Sequence, residues 1–251
     1  ILRQLSERRD RWLAQQEVMD LPEADGEDLH LALEELGWIN RHLGGHRAFL
    51  SGLHSHYPPG TAPPSLTVLD VGCGGGDIVA PLRDWAVNAG VQKLRIILLD
   101  FNRHTCRQIS PCTGNGGEID VQWIVLQADA RHLPCREGAV DIIHFGLFLH
   151  HFRQGDIVQF LRVALKMCCK GLIVNDLHAS RLPYWVTRWG TRILCRSTMV
   201  PQDGPLSILR GFHRAELQSI ATGVGQPWTR LGWVWPFRWL GLMSYSQRSG
   251  S

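Results

Sequence analysis

Apolar and polar positions change rhythm along this chain in a way that separates three regions. From about residue 66 to 177, short apolar runs alternate with stretches of helical period. The runs 66–71, 94–100, 121–127, 139–146 and 171–177 are of strand length and rich in Val, Ile and Leu, which predicts strands buried on both faces. Between them, apolar spacing predicts helices at about 76–89, 102–109 and 154–168. Repeated strand–helix units predict a doubly wound α/β sheet with right-handed crossovers. Ahead of this core, residues 1–50 read as helical, with polar breaks around Pro22 and Asp25-Gly26. Leu29, Leu33, Leu36 and Ile39 recur at helical spacing there, and the pattern stops at Gly44-Gly45. A proline-rich linker at 55–65 follows. Behind the fifth strand, 181–200 reads as an inserted amphipathic helix and 213–224 as another. Trp228–Trp235 and Arg238–Tyr245, flanking Pro236-Phe237, predict a closing antiparallel hairpin, which brings the sheet to seven strands. The implied division is a helical lid with its linker at 1–60 and a main domain at 61–251, carrying an insertion at 179–210.

Ligands of such sheets lie at the carboxyl ends of the strands, and every strand here ends in polar or glycine residues. The first runs through Asp70 into Gly72-Cys73-Gly74-Gly75-Gly76-Asp77 and then a helix. Strand, glycine turn and helix is the geometry in which backbone N–H groups face a bound nucleotide-type ligand, and side chains at Gly72 or Gly74 would obstruct it. Asp70 and Asp77 favour a cationic ligand over a pyrophosphate. Asp100, followed by Phe101, ends the second strand where an acid accepts hydrogen bonds from ribose hydroxyls. Asp129-Ala130 ends the third, where a short side chain can face an adenine amine. Gly146 ends the fourth and leads to Leu149-His150-His151-Phe152; Asn175-Asp176-Leu177-His178 ends the fifth.

Composition narrows the picture. The chain has 251 residues, 44% hydrophobic and 20% charged, as in a globular protein with a full core. A formal charge of +3 without a basic stripe argues against nucleic acid as partner. Arg3, Arg8, Arg9 and Arg11 mix with Glu7 and Asp10 as on a solvated helix face. Seven cysteines suit a reducing, cytoplasmic setting, and Cys168-Cys169 read as buried thiols. Cys73 is chosen for size, with no base nearby in sequence. No apolar stretch reaches the ~20 residues of a membrane span. Trp12, Trp38, Tyr184, Trp185, Trp189, Ile193, Leu194 and Met199, in the lid and insertion, are the expected content of an acceptor pocket.

These features in this order resemble the class I S-adenosylmethionine (SAM)-dependent methyltransferases. Asp70, Gly72, Gly74 and Gly76 fit the family's Asp-x-Gly-x-Gly-x-Gly motif, Asp100 its ribose acid, Asp129-Ala130 its adenine-side acid and Asp141 the aspartate of its fourth strand. The likeness runs over residues 66–178 by motif and to 245 by the hairpin. Residues 149–152 resemble the ubiquinone/menaquinone-type branch. Residues 175–178 and 203–207 resemble bacterial methyltransferases of polyketide or phenolic-lipid pathways. The resemblance implies a Rossmann-like methyltransferase fold and SAM held by Asp70, Gly72, Cys73, Gly74, Gly76, Asp100, Phe101, Asp129, Ala130 and Gly146. It also implies an aromatic or polyketide-like small-molecule acceptor of secondary metabolism. A phenol of pKa near ~10 needs a base, and His150, His151 and His178 follow strands four and five where an acceptor would sit. O-methylation is the leading expectation. C-methylation of a similar acceptor, or SAM binding without turnover, are the alternatives. Asp141 with Asn175-Asp176 resembles the ligands of magnesium-dependent catechol-type enzymes, but Asp141 lies early in its strand, so no metal is expected. His54 and His56 are expected on the linker surface. No Asn/Asp-Pro-Pro-Tyr/Phe segment follows strand four, which argues against nucleic-acid amine methylation.

Overall fold

The computed structural model describes residues 9–245 except 22, 110, 111 and 115–117, with the backbone alone at 112–114. Elements in chain order are α1 (Gly26–His42), α2 (Gly45–His56), β1 (Ser65–Val71), α3 (Val79–Asn88), β2 (Lys93–Asp100), α4 (Arg103–Gln108), β3 (Cys112–Gly114), β4 (Asp120–Gln127) and β5 (Val140–Gly146). They continue with α5 (Gln154–Met167), β6 (Cys168–Leu177), α6 (Arg181–Leu194), α7 (Met199–Arg210), α8 (Arg214–Val224), β7 (Arg230–Val234) and β8 (Arg238–Ser244). The strand order is β3-β4-β2-β1-β5-β6-β8-β7. β4, β2, β1, β5 and β6 are parallel, while β8 and then β7 join antiparallel. These are the seven expected strands; β3, three residues paired antiparallel to β4, adds a short edge.

Alternation within β1 splits the core into two layers. Leu69 and Val71 face α5 and α8 through Ile157, Leu161, Leu217 and Ile220. Leu66 and Val68 face α2 and α3 through Phe49, Leu53 and Leu82. The chain leaves β1 toward β2 and β4 on one side and returns to β5 and β6 on the other, so the carboxyl ends of β1 and β5 flank the switch point.

Several expectations are corrected. The stretch 181–200 is not one helix: α6 ends at Leu194, and α7 starts at Met199 and runs on to Arg210. α2 extends through His56, so His54 and His56 are helical. His54 Nδ1 bonds the Leu50 carbonyl, and His56 is buried with Nε2 3.2 Å from the Leu172 carbonyl oxygen. Cys168 is buried but Cys169 is exposed. Arg9 is buried, donating to the Phe152 carbonyl at 3.0 Å and lying over the Phe212 ring, because the chain there packs on the domain instead of facing solvent. Arg3, Glu7, Arg8 and Pro22 lie outside the described residues. No described helix is long and apolar enough to cross a membrane.

Candidate active site

A cavity of about 630 Å3 opens over the carboxyl ends of the parallel strands. Its floor is the glycine turn. Gly72 has φ +71°, and a Cβ there would stand 2.4 Å from Phe148 Cδ2, so turn and aromatic wall touch only because the residue is glycine. The N–H groups of Gly72 and Cys73 donate back to the Leu99 carbonyl, which fixes the turn against β2. α1 crosses above, with Leu33 in contact distance of Gly74 and Gly75. Gly76 does not line the cavity; it sits behind the turn beside Leu98 and Ile109.

At the end of β2, Asp100 accepts the Gly74 N–H at 3.0 Å and the Asn102 N–H at 2.9 Å, one on each oxygen. Burial raises its pKa, against those two backbone donors. Asn102 caps α4 and donates to the Ala24 carbonyl, tying the lid to this corner. Phe101, Ala130 and Gly146 line the cavity, as does Asp129, whose carboxylate is forked by Arg131 at 2.6–3.0 Å. The Cys73 thiol is pushed up by burial and by the carboxylates of Asp100 and Asp70, which leaves it unreactive.

The two acids expected to face a cation instead hold histidines. Asp70 Oδ1 lies 2.7 Å from His144 Nδ1, both buried, and Asp77 Oδ2 lies 2.7 Å from His46 Nε2. Asp70 and His144 share one register position on the paired strands β1 and β5. His144 escaped the sequence reading because every side chain of a central parallel strand is buried, so one more residue in the run carries no signal. Its sequence clue is an imidazole two residues before the end of its strand, opposite an acid one residue before the end of the neighbouring strand.

Beyond β5 the chain turns through Leu147, whose φ of +51° is strained for a non-glycine residue, and whose N–H donates to the Asn175 carbonyl at 2.9 Å. The turn Leu149–His151 follows. Asp176, at the end of β6, accepts the backbone N–H groups of Leu149 at 2.9 Å and of His150 at 3.2 Å. Asp176 Oδ1 also holds His150 Nδ1 at 2.8 Å. Burial would raise Asp176, but His150 and the Leu177 N–H leave it below the ordinary carboxylate value. His150 Nε2 is buried without a partner among the described residues and lines the cavity. The His151 ring lies 4.2 Å from that of His150, with Nδ1 2.7 Å from Asp20 Oδ2. Burial opposes its protonation, but the carboxylates of Asp20 and Glu17 overcome this and hold its pKa up at about 9. The structure thus brings His150 and His151 together. His178 is elsewhere: its ring packs on Trp239 and His213 and does not line the cavity.

Donor atoms of Glu17, His150 and His151 lie within 4.8 Å of one another, a spacing that could hold a metal ion, but Glu17 is already neutralised by Arg210 at 2.7 Å and by the Ser207 hydroxyl. Asp141, by contrast, accepts the Thr67 N–H at 2.7 Å and stays structural. Three more cavity-lining residues carry a polar side-chain atom buried without a partner among the described residues: His144 Nε2, Asn175 Oδ1 and Arg238 Nη1. Asn175 was named in the sequence, at the end of the fifth strand; His144 and Arg238 were not singled out as site residues.

The side of the cavity away from the glycine turn is walled by residues 16–40 together with α6 and α7. Asp203 of α7 accepts the N–H groups of Val18 and Met19 at 2.9 and 3.0 Å, and Asp28 of α1 holds Thr198 through its N–H and hydroxyl. α6 contributes Thr187 and Thr191 to the lining. The expected aromatic content is absent from it: Trp38, Trp185, Trp189, Ile193 and Leu194 point away into solvent.

With that geometry in place, comparison with known proteins is informative. Residues 68–171 match the family described as "Methyltransferase domain". Over those residues the chain is similar to methyltransferase domains. The matched segment runs from within β1 to the start of β6 and includes the glycine turn, Asp100 and the cavity-lining His144, His150 and His151. The fold of the chain is similar to that of the plantazolicin methyltransferase BpumL in complex with SAH, at 12% identity and TM-score 0.64, covering 97% of this chain and 100% of that one. It is similar also to a SAM-dependent methyltransferase from Aquifex aeolicus, at 14% identity and TM-score 0.55, covering 86% and 97%. CalO1, a methyltransferase of calicheamicin biosynthesis in its SAH-bound form, aligns at 16% identity and TM-score 0.52, covering 98% and 68%. No curated protein is significantly similar in sequence.

Proposed function

We propose that this chain moves a methyl group from SAM to a hydroxyl of a phenolic, quinol or polyketide-like small molecule, with His150 as the proton acceptor. The observation that carries this reading is the His150–Asp176 pair. Asp176 takes the Nδ1 proton of His150, so Nε2 is the basic nitrogen, and it is left buried and without a partner among the described residues at the cavity wall. So is His144 Nε2 behind Asp70, but of the two only the His150 ring stands beside the His151 cation. That is the arrangement a hydroxyl needs to lose its proton. The His151 cation beside it lowers the pKa of a nearby phenol by favouring the phenolate.

The cradle suits SAM on its own residues. The glycine turn leaves room for close approach. Asp100 offers its remaining lone pairs to the ribose hydroxyls, whose donated protons would offset its burial. Asp129 and Ala130 border the adenine side. Arg238 Nη1 offers a charge-assisted hydrogen bond to the methionine carboxylate. Bound SAM supplies an electrophilic methyl on a sulfonium. The chain's own work is to orient the acceptor, exclude water through the lid and insertion, and take the proton at His150 Nε2. A small-molecule acceptor in the natural-product class agrees with the similarity to CalO1 and BpumL, but rests mainly on the cavity's size and its enclosure by α1, α6 and α7.

The test incubates the protein with SAM and a panel of phenols and quinols, reading S-adenosylhomocysteine and a mass gain of about 14 Da. The His150→Gln variant should lose about 10²-fold in kcat with SAM affinity intact. An equal loss of both would make His150 a cofactor contact, and full activity would remove it as base. Methyl found on carbon in the product would replace O- by C-methylation.

A further inference from the structure

α6 buries little of its apolar surface. Leu182, Trp185, Val186, Trp189 and Ile193 fall at i, i+3, i+4, i+7 and i+11, one stripe of a helix, and that stripe faces solvent. Exposure reaches 55% at Trp189 and 79% at Ile193, and Leu194 continues the apolar surface at the helix end. Its opposite side, with buried Pro183 and Thr191, packs on α7, where a Cβ on Gly204 would come within 2.8 Å of Thr187 Cγ2. The outward stripe is therefore not a disordered core but the free face of a docked helix. Arg181, Arg188 and Arg192 run along one flank of it, and Arg196 follows. From Leu177 to Gln202 the chain has no Asp or Glu, and none of these four arginines forms an ion pair with a described residue.

We propose that α6 docks this face on an anionic lipid bilayer, lying in the interface plane with its tryptophans and aliphatic side chains among the headgroups. Tryptophan, leucine and isoleucine on one face with arginine beside them is the composition that such a surface binds, apolar burial and lipid charge acting together. A helix of 14 residues lies on a bilayer and does not cross it. The charge decides the occupant. A second copy of the chain would present four more arginines and no acid from this helix, whereas anionic headgroups supply the missing countercharge. α6 also lines the cavity through Thr187 and Thr191, so docking brings the acceptor wall to the lipid surface. The consequence for substrate class, an amphiphilic acceptor taken from the bilayer, rests on the methyl-transfer reading; the docking itself does not.

Flotation of the whole chain with vesicles, without SAM or acceptor, tests the docking separately from methyl transfer. Vesicles of phosphatidylcholine and phosphatidylglycerol at 3:1 should bind at least about tenfold more tightly than phosphatidylcholine alone, and 0.5 M NaCl should erase most of the difference. Trp189→Glu and Ile193→Glu should each weaken binding about tenfold. Both lie on the exposed face, so melting temperature and SAM affinity should stay at wild-type values. Arg181→Gln combined with Arg192→Gln should reduce the preference for anionic vesicles while leaving the apolar face whole. Equal binding to both vesicle types, no binding to either, or unchanged binding by all the variants overturns the proposal. So does a dimer in free solution that Trp189→Glu splits into monomers.

Discussion

Replacing Asp20 by Asn isolates what the lid does to the histidine pair. Asp20 Oδ2 is 2.7 Å from His151 Nδ1, and with Glu17 it holds the imidazole at about 9 in place of the usual ~6.5. A group raised in the folded state stabilises the fold fully below its unfolded pKa and loses that contribution as pH climbs through the folded one. The window is therefore pH 6.5 to about 9. If the whole displacement were stability, it would be worth roughly 3 kcal/mol. Asp20 is 44% exposed and shares the effect with Glu17, so solvent screening reduces its part to about 1–1.5 kcal/mol. Urea unfolding of Asp20→Asn should thus show that deficit at pH 6, narrowing to a few tenths of a kcal/mol by pH 10. Histidine NMR titration should show the His151 midpoint falling by more than a pH unit. A deficit equally large at pH 10, or an unmoved His151 midpoint, would refute the argument that charge on Asp20 holds the imidazole protonated. On the proposed phenol-methylating reading, the pH–rate profile should shift in the same direction, since a neutral His151 would no longer favour the phenolate at neutral pH.

Three further outcomes are expected. Asp100→Ala should weaken SAM binding by on the order of 1–3 kcal/mol through lost charged hydrogen bonds, read by calorimetry; unchanged affinity removes the ribose role. Gly72→Ala combines a positive φ with a Cβ 2.4 Å from Phe148, so it should cost about 1–3 kcal/mol of stability and depress SAM binding, and wild-type behaviour in both would sink the cradle argument. Arg238→Met should weaken SAM binding by about tenfold or more, with little effect on the apparent pKa of the rate profile; intact affinity would free Arg238 from the donor's carboxylate.

What the sequence disclosed and what it hid follow from range. Strand-end chemistry was legible, because a parallel strand ends where its apolar run ends, and Asp100 and Gly72 stand at those breaks. Boundaries failed where local patterns join: only four residues separate the end of α6 from the start of α7, and both are apolar on one side. The pairings Asp70–His144, Asp20–His151 and His150–Asp176 join residues far apart in sequence and leave no local trace. Which way an amphipathic helix turns its apolar face is equally invisible. Trp185 and Trp189 looked like pocket wall because burial is the usual fate of such a stripe; α6 instead buries its small side, Pro183 and Thr191, against α7. Arg9 misled for the reverse reason, being a charged residue in a charged stretch that nonetheless packs over Phe212.

The bonds from Asp203 to the Val18–Met19 backbone, from Asp28 to Thr198 and from Glu17 to Arg210 bear on how this acceptor wall can be re-engineered. Residues near 17–28 and near 198–210 are separated by most of the domain, yet each supplies the other's partners. Grafting either segment alone from a relative would strand buried carboxylates and a buried guanidinium in the recipient. If these two segments select the acceptor, as the proposed methyl transfer implies, they form a two-part cassette, and chimeras should inherit an acceptor preference only when both parts come from one parent.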